Sequence, residues 1–255
     1  MMTDALKSIL TDIGDVAIAV SGGVDSMTLA YLASESDAQV EMFHAVSPAV
    51  PEAATARVKA HAETAGWRLR IIGAGEFDDP DYLKNPVNRC YFCKSNLYAR
   101  IVTATDAVIC SGANTGDLGD YRPGLGAAAE KQVRHPFIEA GIDKPVIRAL
   151  AAKRGLDDLA VLPAQPCLAS RVETGIAINA DDLALVDAVE THLAARLGAG
   201  DIRCRVTHSG VRVELPEGAL GTDLTDIADM VQSTGRVFAG AAPYKRGSAF
   251  LRGAS

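Results

Sequence analysis

Six consecutive residues, Ser21-Gly22-Gly23-Val24-Asp25-Ser26, follow directly on the short apolar run Val16-Ala17-Ile18-Ala19-Val20. A strand, a glycine pair and a helix start in that order let backbone amides wrap an anion, and the helix N-terminus adds partial positive charge. Gly22 and Gly23 permit close approach and positive φ, while Ser21 and Ser26 offer hydroxyls to phosphate oxygens. The Walker pattern is absent, as is the Gly-x-Gly-x-x-Gly dinucleotide fingerprint. An ordinary strand-helix turn with Asp25 as helix cap is the bland alternative; the full hexapeptide in this setting favours a phosphate loop.

The cysteines form the second constellation. Cys90 and Cys93 sit in Asn88-Arg89-Cys90-Tyr91-Phe92-Cys93-Lys94, a spacing that lets two thiolates converge on one metal or cluster. The same spacing serves redox pairs and structural zinc. Cys167 follows in Pro166-Cys167-Leu168-Ala169-Ser170-Arg171, with no second cysteine or histidine beside it. A closed four-ligand zinc site is therefore poorly supported, and three ligands leave an open coordination position. Cys110 ends an apolar strand and Cys204 lies in Arg203-Cys204-Arg205-Val206 without a flanking motif, so both read as buried small hydrophobes.

Charged residues supply the remaining candidates. Asp117, Asp120 and Arg122 fall in a glycine-rich loop after the Cys110 strand, where they can meet nucleotide, magnesium or a substrate phosphate. Arg171, Arg203 and Arg205 can bind a mononucleotide phosphate bidentately, although arginine on exposed strands is often plain surface. Lys94 suits either a nearby phosphate or a snorkelling stem. His44 reads as a packing or adenine-edge residue, and Trp67, the single tryptophan, as core.

Positioning these groups requires an alternating scaffold. Strand-like runs at Val16–Val20, Val40–Val46, Arg68–Ile72 and Ala107–Cys110 alternate with helix-period segments at Ser26–Ala33, Pro51–Ala65, Ser95–Thr103 and Lys144–Arg154. That pattern predicts an α/β fold with a doubly wound, mostly parallel sheet, whose ligands sit at the carboxyl ends of the strands. The rhythm changes past Pro163. A helix at Asp181–Leu197 capped by Asn179 or Asp181, strands at Ile202–Thr207 and Val211–Leu215 around His208-Ser209-Gly210, a helix at Leu224–Ser233 and a strand at Arg236–Ala239 predict a small α+β domain. The expected domains are 1–170 and 171–255.

Composition narrows the partners. At 255 residues and 48% hydrophobic the chain buries a substantial core. Its net charge of −7 repels polyanions, which disfavours nucleic acid and anionic membranes. No apolar run has the length of a bilayer span. Met1 to Lys7 carries acid where a secretory leader is basic. These features predict a cytoplasmic chain with reduced thiols.

Taken together, the hexapeptide, Arg89-Cys90-Tyr91-Phe92-Cys93-Lys94 and Pro166-Cys167-Leu168-Ala169-Ser170-Arg171 resemble the LarE-type ATP-dependent sulfur transferases of the PP-loop ATP pyrophosphatase superfamily. The resemblance extends through the loop from Gly112-Ala113-Asn114-Thr115-Gly116-Asp117 to Asp120-Tyr121-Arg122-Pro123-Gly124, through Lys144-Pro145-Val146-Ile147-Arg148, and through Arg203-Cys204-Arg205-Val206. It implies that Ser21 to Ser26 and Gly112 border ATP, that Asp25 serves Mg2+ and the departing pyrophosphate, and that a substrate carboxylate is adenylated before sulfur displaces AMP. The implied acceptor is a pyridinium mononucleotide on the route to the nickel-pincer nucleotide cofactor, and the implied assembly is a homo-oligomer. One branch of the family sacrifices the sulfur of a cysteine at the position of Cys167; another holds a 4Fe-4S cluster on three cysteines. Cys90, Cys93 and Cys167 all being present points to the cluster branch. Val172-Glu173-Thr174 replaces the family's aromatic-proline pair, and the tail Ala241-Ala242-Pro243-Tyr244-Lys245-Arg246-Gly247-Ser248 departs from its Gly-x-Arg-x-Gly-like run. Two rival readings are a tRNA-thiolating PP-loop enzyme, opposed by the acidic charge, and an adenine-nucleotide sensor without turnover.

Overall fold

The computed structural model describes residues 2–119, 121–198, 200–245 and 247–249. Asp120 of the glycine-rich loop and Arg246 of the tail, both named above, lie outside the described residues. The chain divides into two compact units. The first comprises Met1–Ser47, Glu52–Asp78 and Cys90–Gln165; the second takes Pro48–Pro51, Asp79–Arg89 and Pro166–Ser255.

The first unit opens with helix α1 (Met2–Ile13), which the sequence reading did not anticipate. Leu6 and Leu10, one turn apart, are its buried stripe. Strand β1 (Asp15–Ala19), helix α2 (Val24–Ser34), β2 (Gln39–Val46), α3 (Glu52–Ala65) and β3 (Leu69–Gly73) follow. A single turn, α4 (Pro80–Leu83), belongs to the second unit. Helix α5 (Arg89–Val102) then leads to β4 (Val108–Ser111), α6 (Pro123–Glu130), α7 (Pro136–Glu139), α8 (Lys144–Lys153) and α9 (Asp157–Ala160). The expected helix at Ser95–Thr103 therefore begins six residues earlier and contains both Cys90 and Cys93.

All four strands run parallel in the order β3-β2-β1-β4. Successive side chains of a strand face opposite ways, and β1 shows why the sheet is covered on both faces. Val16 and Ile18 join Leu6, Leu10, Met27, Leu29, Val58 and Ile147 in one core. Ala17 joins Phe43, Ile109, Leu97, Tyr98 and Ile101 in the other. The fold is the expected doubly wound α/β sheet. Chain order runs outward from β1 to β3 and then returns to the opposite side of β1, so the switch in strand order falls between β1 and β4. Loops leaving those two strands flank the crevice in which such sheets take ligands.

In the second unit, Asn85 explains why residues 79–89 leave the sheet that surrounds them in sequence. Its amide donates to the carbonyls of Glu173 and Ile176, both at 2.9 Å, and Gly175 and Ile178 donate back to Asn85 and Leu83. Leu168 likewise donates to Ala49. Helix α10 (Ala180–Leu197) is capped by Asn179, whose side chain accepts from the Asp182 amide at 2.8 Å. Strands β5 (Arg203–Thr207) and β6 (Gly210–Leu215) form an antiparallel hairpin. Helix α11 (Thr225–Ser233) leads to β7 (Phe238–Pro243), which pairs parallel with β6 and starts two residues after the expected strand.

Candidate functional site

The phosphate loop leaves the carboxyl end of β1. Gly22 adopts φ 80°, a left-handed conformation that favours glycine, and a Cβ there would lie 2.8 Å from the Ala54 carbonyl oxygen. Gly23 caps α2 with no side-chain bond, so the first amides of α2, which have no intrahelical acceptor, are not taken up by a capping side chain. Ser21 and Ser26 tie the loop together. The Ser21 amide donates to Ser26 Oγ at 2.9 Å, the two hydroxyls are 3.1 Å apart, and Ser26 Oγ also donates to the Gly23 carbonyl. Val24 and Ser26 are buried under the loop.

Asp25, one residue into α2, is ion-paired through Oδ2 with Lys144, the first residue of α8. Its Oδ1 is buried and has no hydrogen-bond partner among the described residues. A carboxylate oxygen of this kind is the hard donor that magnesium takes, so Asp25 fits that ion. The Lys144 contact is a feature that sequence reading missed, although Lys144 stands in one of the resembling segments. Gly112, just past β4, presses on the same place: a Cβ there would lie 2.6 Å from the Ser26 amide nitrogen. The loops after β1 and β4 thus meet at the start of α2.

Farther along the β4 loop, Asp117 pairs with Arg122 at 2.8 Å and accepts from the Asn114 amide at 3.0 Å. At the end of β4, Ser111 Oγ lies 2.8 Å from His135 Nδ1, and burial holds the His135 pKa down. His44 is fully engaged, with Nδ1 on the Val20 carbonyl and Nε2 on Thr55 Oγ1, both at 2.9 Å; burial lowers its pKa too. Trp67 is part of the core.

Among the described residues no cysteine is in a disulfide. Cys90 is exposed and Cys93 partly so, one turn apart on the same face of α5. Cys167, in the second unit, is exposed at the start of a 3-10 turn over Leu168–Arg171. Cys110 and Cys204 are buried, and burial pushes the Cys110 thiol up to about 12 and raises that of Cys204 as well. The thiols of Cys90, Cys93 and Cys167 are the donor type iron takes. Among the described residues no group of three His, Cys, Asp or Glu side chains is gathered as a metal site.

The arginines of the second unit carry internal partners. Arg171 forms a fork with Glu190 at 2.9 and 2.7 Å, and its Nη1 donates to the carbonyls of Pro166 and Cys167. Arg205 is buried against Glu214 at 3.0 Å and donates to the Ser170 carbonyl. Both thus converge on Ser170, whose Oγ accepts from Arg171. Arg203, half-buried, lies over the Tyr244 ring at 5.6 Å.

No family model matches the chain. It is 34% identical over 235 residues to the uncharacterized protein slr1717 of Synechocystis sp., covering 89% of this chain and 87% of that protein. It is also 29% identical over 222 residues to pyridinium-3,5-bisthiocarboxylic acid mononucleotide synthase of Lactiplantibacillus plantarum, covering 85% and 80%. The chain belongs to the LarE-like family. Protein MJ0830 of Methanocaldococcus jannaschii is a further relative of this LarE-like chain, 28% identical over 182 residues, with 70% and 69% covered. The parallel sheet with its loop after β1 is consistent with a LarE-like PP-loop fold.

Proposed function

We propose that this LarE-like protein is an ATP-dependent sulfur transferase of nickel-pincer nucleotide biosynthesis. It adenylates a carboxylate of a pyridinium mononucleotide, releasing pyrophosphate, and sulfur then displaces AMP. The observation that carries this reading is the glycine loop at the carboxyl end of β1, with no capping side chain on α2 and an unpartnered Asp25 oxygen beside it. The relative named as a bisthiocarboxylic acid mononucleotide synthase supports the acceptor class.

The chain's own groups divide the work by charge. Amides at the start of α2 and the Lys144 ammonium hold phosphate oxygens while charge grows on the leaving pyrophosphate. Asp25 Oδ1 holds the magnesium that accompanies the nucleotide, and that ion, when bound, neutralises the same charge. Gly112 leaves room for the phosphates against Ser26. Cys90, Cys93 and Cys167 would be the ligands of a 4Fe-4S cluster, which would supply an iron position for the transferable sulfide. Arg203 contributes positive charge toward the acceptor's phosphate.

The test is pyrophosphate release with ATP, magnesium and pyridinium-3,5-dicarboxylic acid mononucleotide. Release that requires the acceptor, and that falls about a hundredfold or more in Asp25→Ala with the fold retained, is expected. Undiminished release in Asp25→Ala contradicts the assignment.

A further inference from the structure

Arg57, on the first turns of α3, is used by no step described so far. Its Nη1 donates to the Gly22 carbonyl at 3.0 Å and to Gln165 Oε1 at 3.0 Å. Both protons of one nitrogen are thereby committed to two segments more than a hundred residues apart. The first is the left-handed residue of the phosphate loop. The second is the last residue of the first unit, two positions before Cys167 in the chain.

The Gly22 bond matters because a peptide between two glycines has little intrinsic preference for one orientation. Packing of Gly22 on Ala54 and the bond from Arg57, both supplied by α3, fix where its carbonyl points. The next amide, that of Gly23, must then face the opposite way, where it donates to Ser21 Oγ at 3.4 Å within the loop. Arg57 is partly buried; burial lowers its pKa, and the Asp158 charge opposes that only in part.

Gln165 is exposed, and its bond to Arg57 is one of the anchors of the irregular run 162–167, whose Leu162 carbonyl accepts from Arg148. On the far side of Pro166, Arg171 holds the Pro166 and Cys167 carbonyls. The cysteine-bearing strand of backbone is therefore gripped on either side by a guanidinium, and one of the two grips reaches the nucleotide loop directly.

We propose that Arg57 is a positioning residue that couples occupancy of the phosphate loop to the exposure of Cys167. Phosphates bound at the loop favour the Gly22–Gly23 peptide orientation that Arg57 already grips, which strengthens the Arg57 hold on Gln165 and steadies the segment entering Cys167. Empty and filled loops then present the cysteine differently. The inference rests on the ATP reading of the loop, and its test separates the two.

Calorimetry with the nonhydrolysable analogue AMPCPP and magnesium first measures binding to the full-length wild type, Gln165→Ala and Arg57→Ala. Iodoacetamide labelling of the full-length protein without its cluster, resolved by peptide mass spectrometry, then gives the rate at Cys167 with and without the analogue. In the wild type the analogue should slow labelling about fivefold, the scale of one or two hydrogen bonds. Gln165→Ala, which removes only an exposed side chain, should bind the analogue normally yet show no slowing. Arg57→Ala should lose the slowing and bind about threefold to tenfold more weakly. Equal slowing in wild type and Gln165→Ala, or none in a wild type that binds the analogue, overturns the coupling while the ATP reading stands. A wild type that binds no adenine nucleotide overturns both.

Discussion

Asp25 divides its carboxylate between two tasks, one oxygen on Lys144 and the other unclaimed by any hydrogen bond. The type and place of Asp25 are legible in the hexapeptide. Its partner is not, because the pair closes over a separation of 119 residues and nothing local to Lys144 announces it. The same limit applies to Arg171 and Arg205, where residue type suggests phosphate but Glu190 and Glu214 supply buried counter-charges. Gly112 shows the opposite case, a glycine whose reason is visible only once two loops meet. Gly112→Ala places a methyl 2.6 Å from the Ser26 amide, so the loop must shift. The expected cost is about 1–3 kcal/mol in urea unfolding, together with lost ATP binding by calorimetry. Unchanged affinity in that variant would separate Gly112 from the nucleotide site.

Elements were legible where one physical signal dominated. The apolar run of β1 declares a strand buried on both faces, and Asn179 declares the start of α10. Helix α5 began earlier than its periodicity suggested because Arg89 to Lys94 are mostly polar or half-exposed and carry no apolar stripe; the buried Leu97, Tyr98 and Ile101 alone show the helical period. Helix α1 is hard to read in the sequence because its apolar stripe is short, with Leu6 and Leu10 as the residues that seal one face of the sheet. Helix α3 acts as the platform of the loop through Ala54, Thr55 and Arg57. Its link to β2 gives a pH prediction. Burial holds His44, and likewise His135, below the usual imidazole value of 6.5. The unfolded chain then takes up protons first, so stability is full above about pH 6.5 and falls as pH drops below it. Urea unfolding from pH 7.5 to 5 should show that decline, and the double variant His44→Gln, His135→Gln should flatten it. An equal slope in the variant would place the dependence elsewhere.

At the scale of the molecule, the strand order decides which loops meet. The switch in strand order between β1 and β4 is where the glycine loop, Gly112 and Lys144 are found, as expected from the alternating pattern. Division into units was harder to read, because residues 48–51 and 79–89 join the second unit through backbone hydrogen bonds that leave no compositional trace. Among the described residues no helix is long and apolar enough to cross a membrane. The central claim is that ATP cleavage at the glycine loop drives sulfur into a pyridinium mononucleotide carboxylate. Mass spectrometry of the acceptor after anaerobic incubation with cluster-loaded protein, a sulfide source, ATP and magnesium tests it most directly. The expected product is an acceptor in which sulfur replaces a carboxylate oxygen, with one AMP formed for each sulfur and Cys167 still carrying its own sulfur. An acceptor of unchanged mass, with ATP bound and the loaded protein intact, would contradict it.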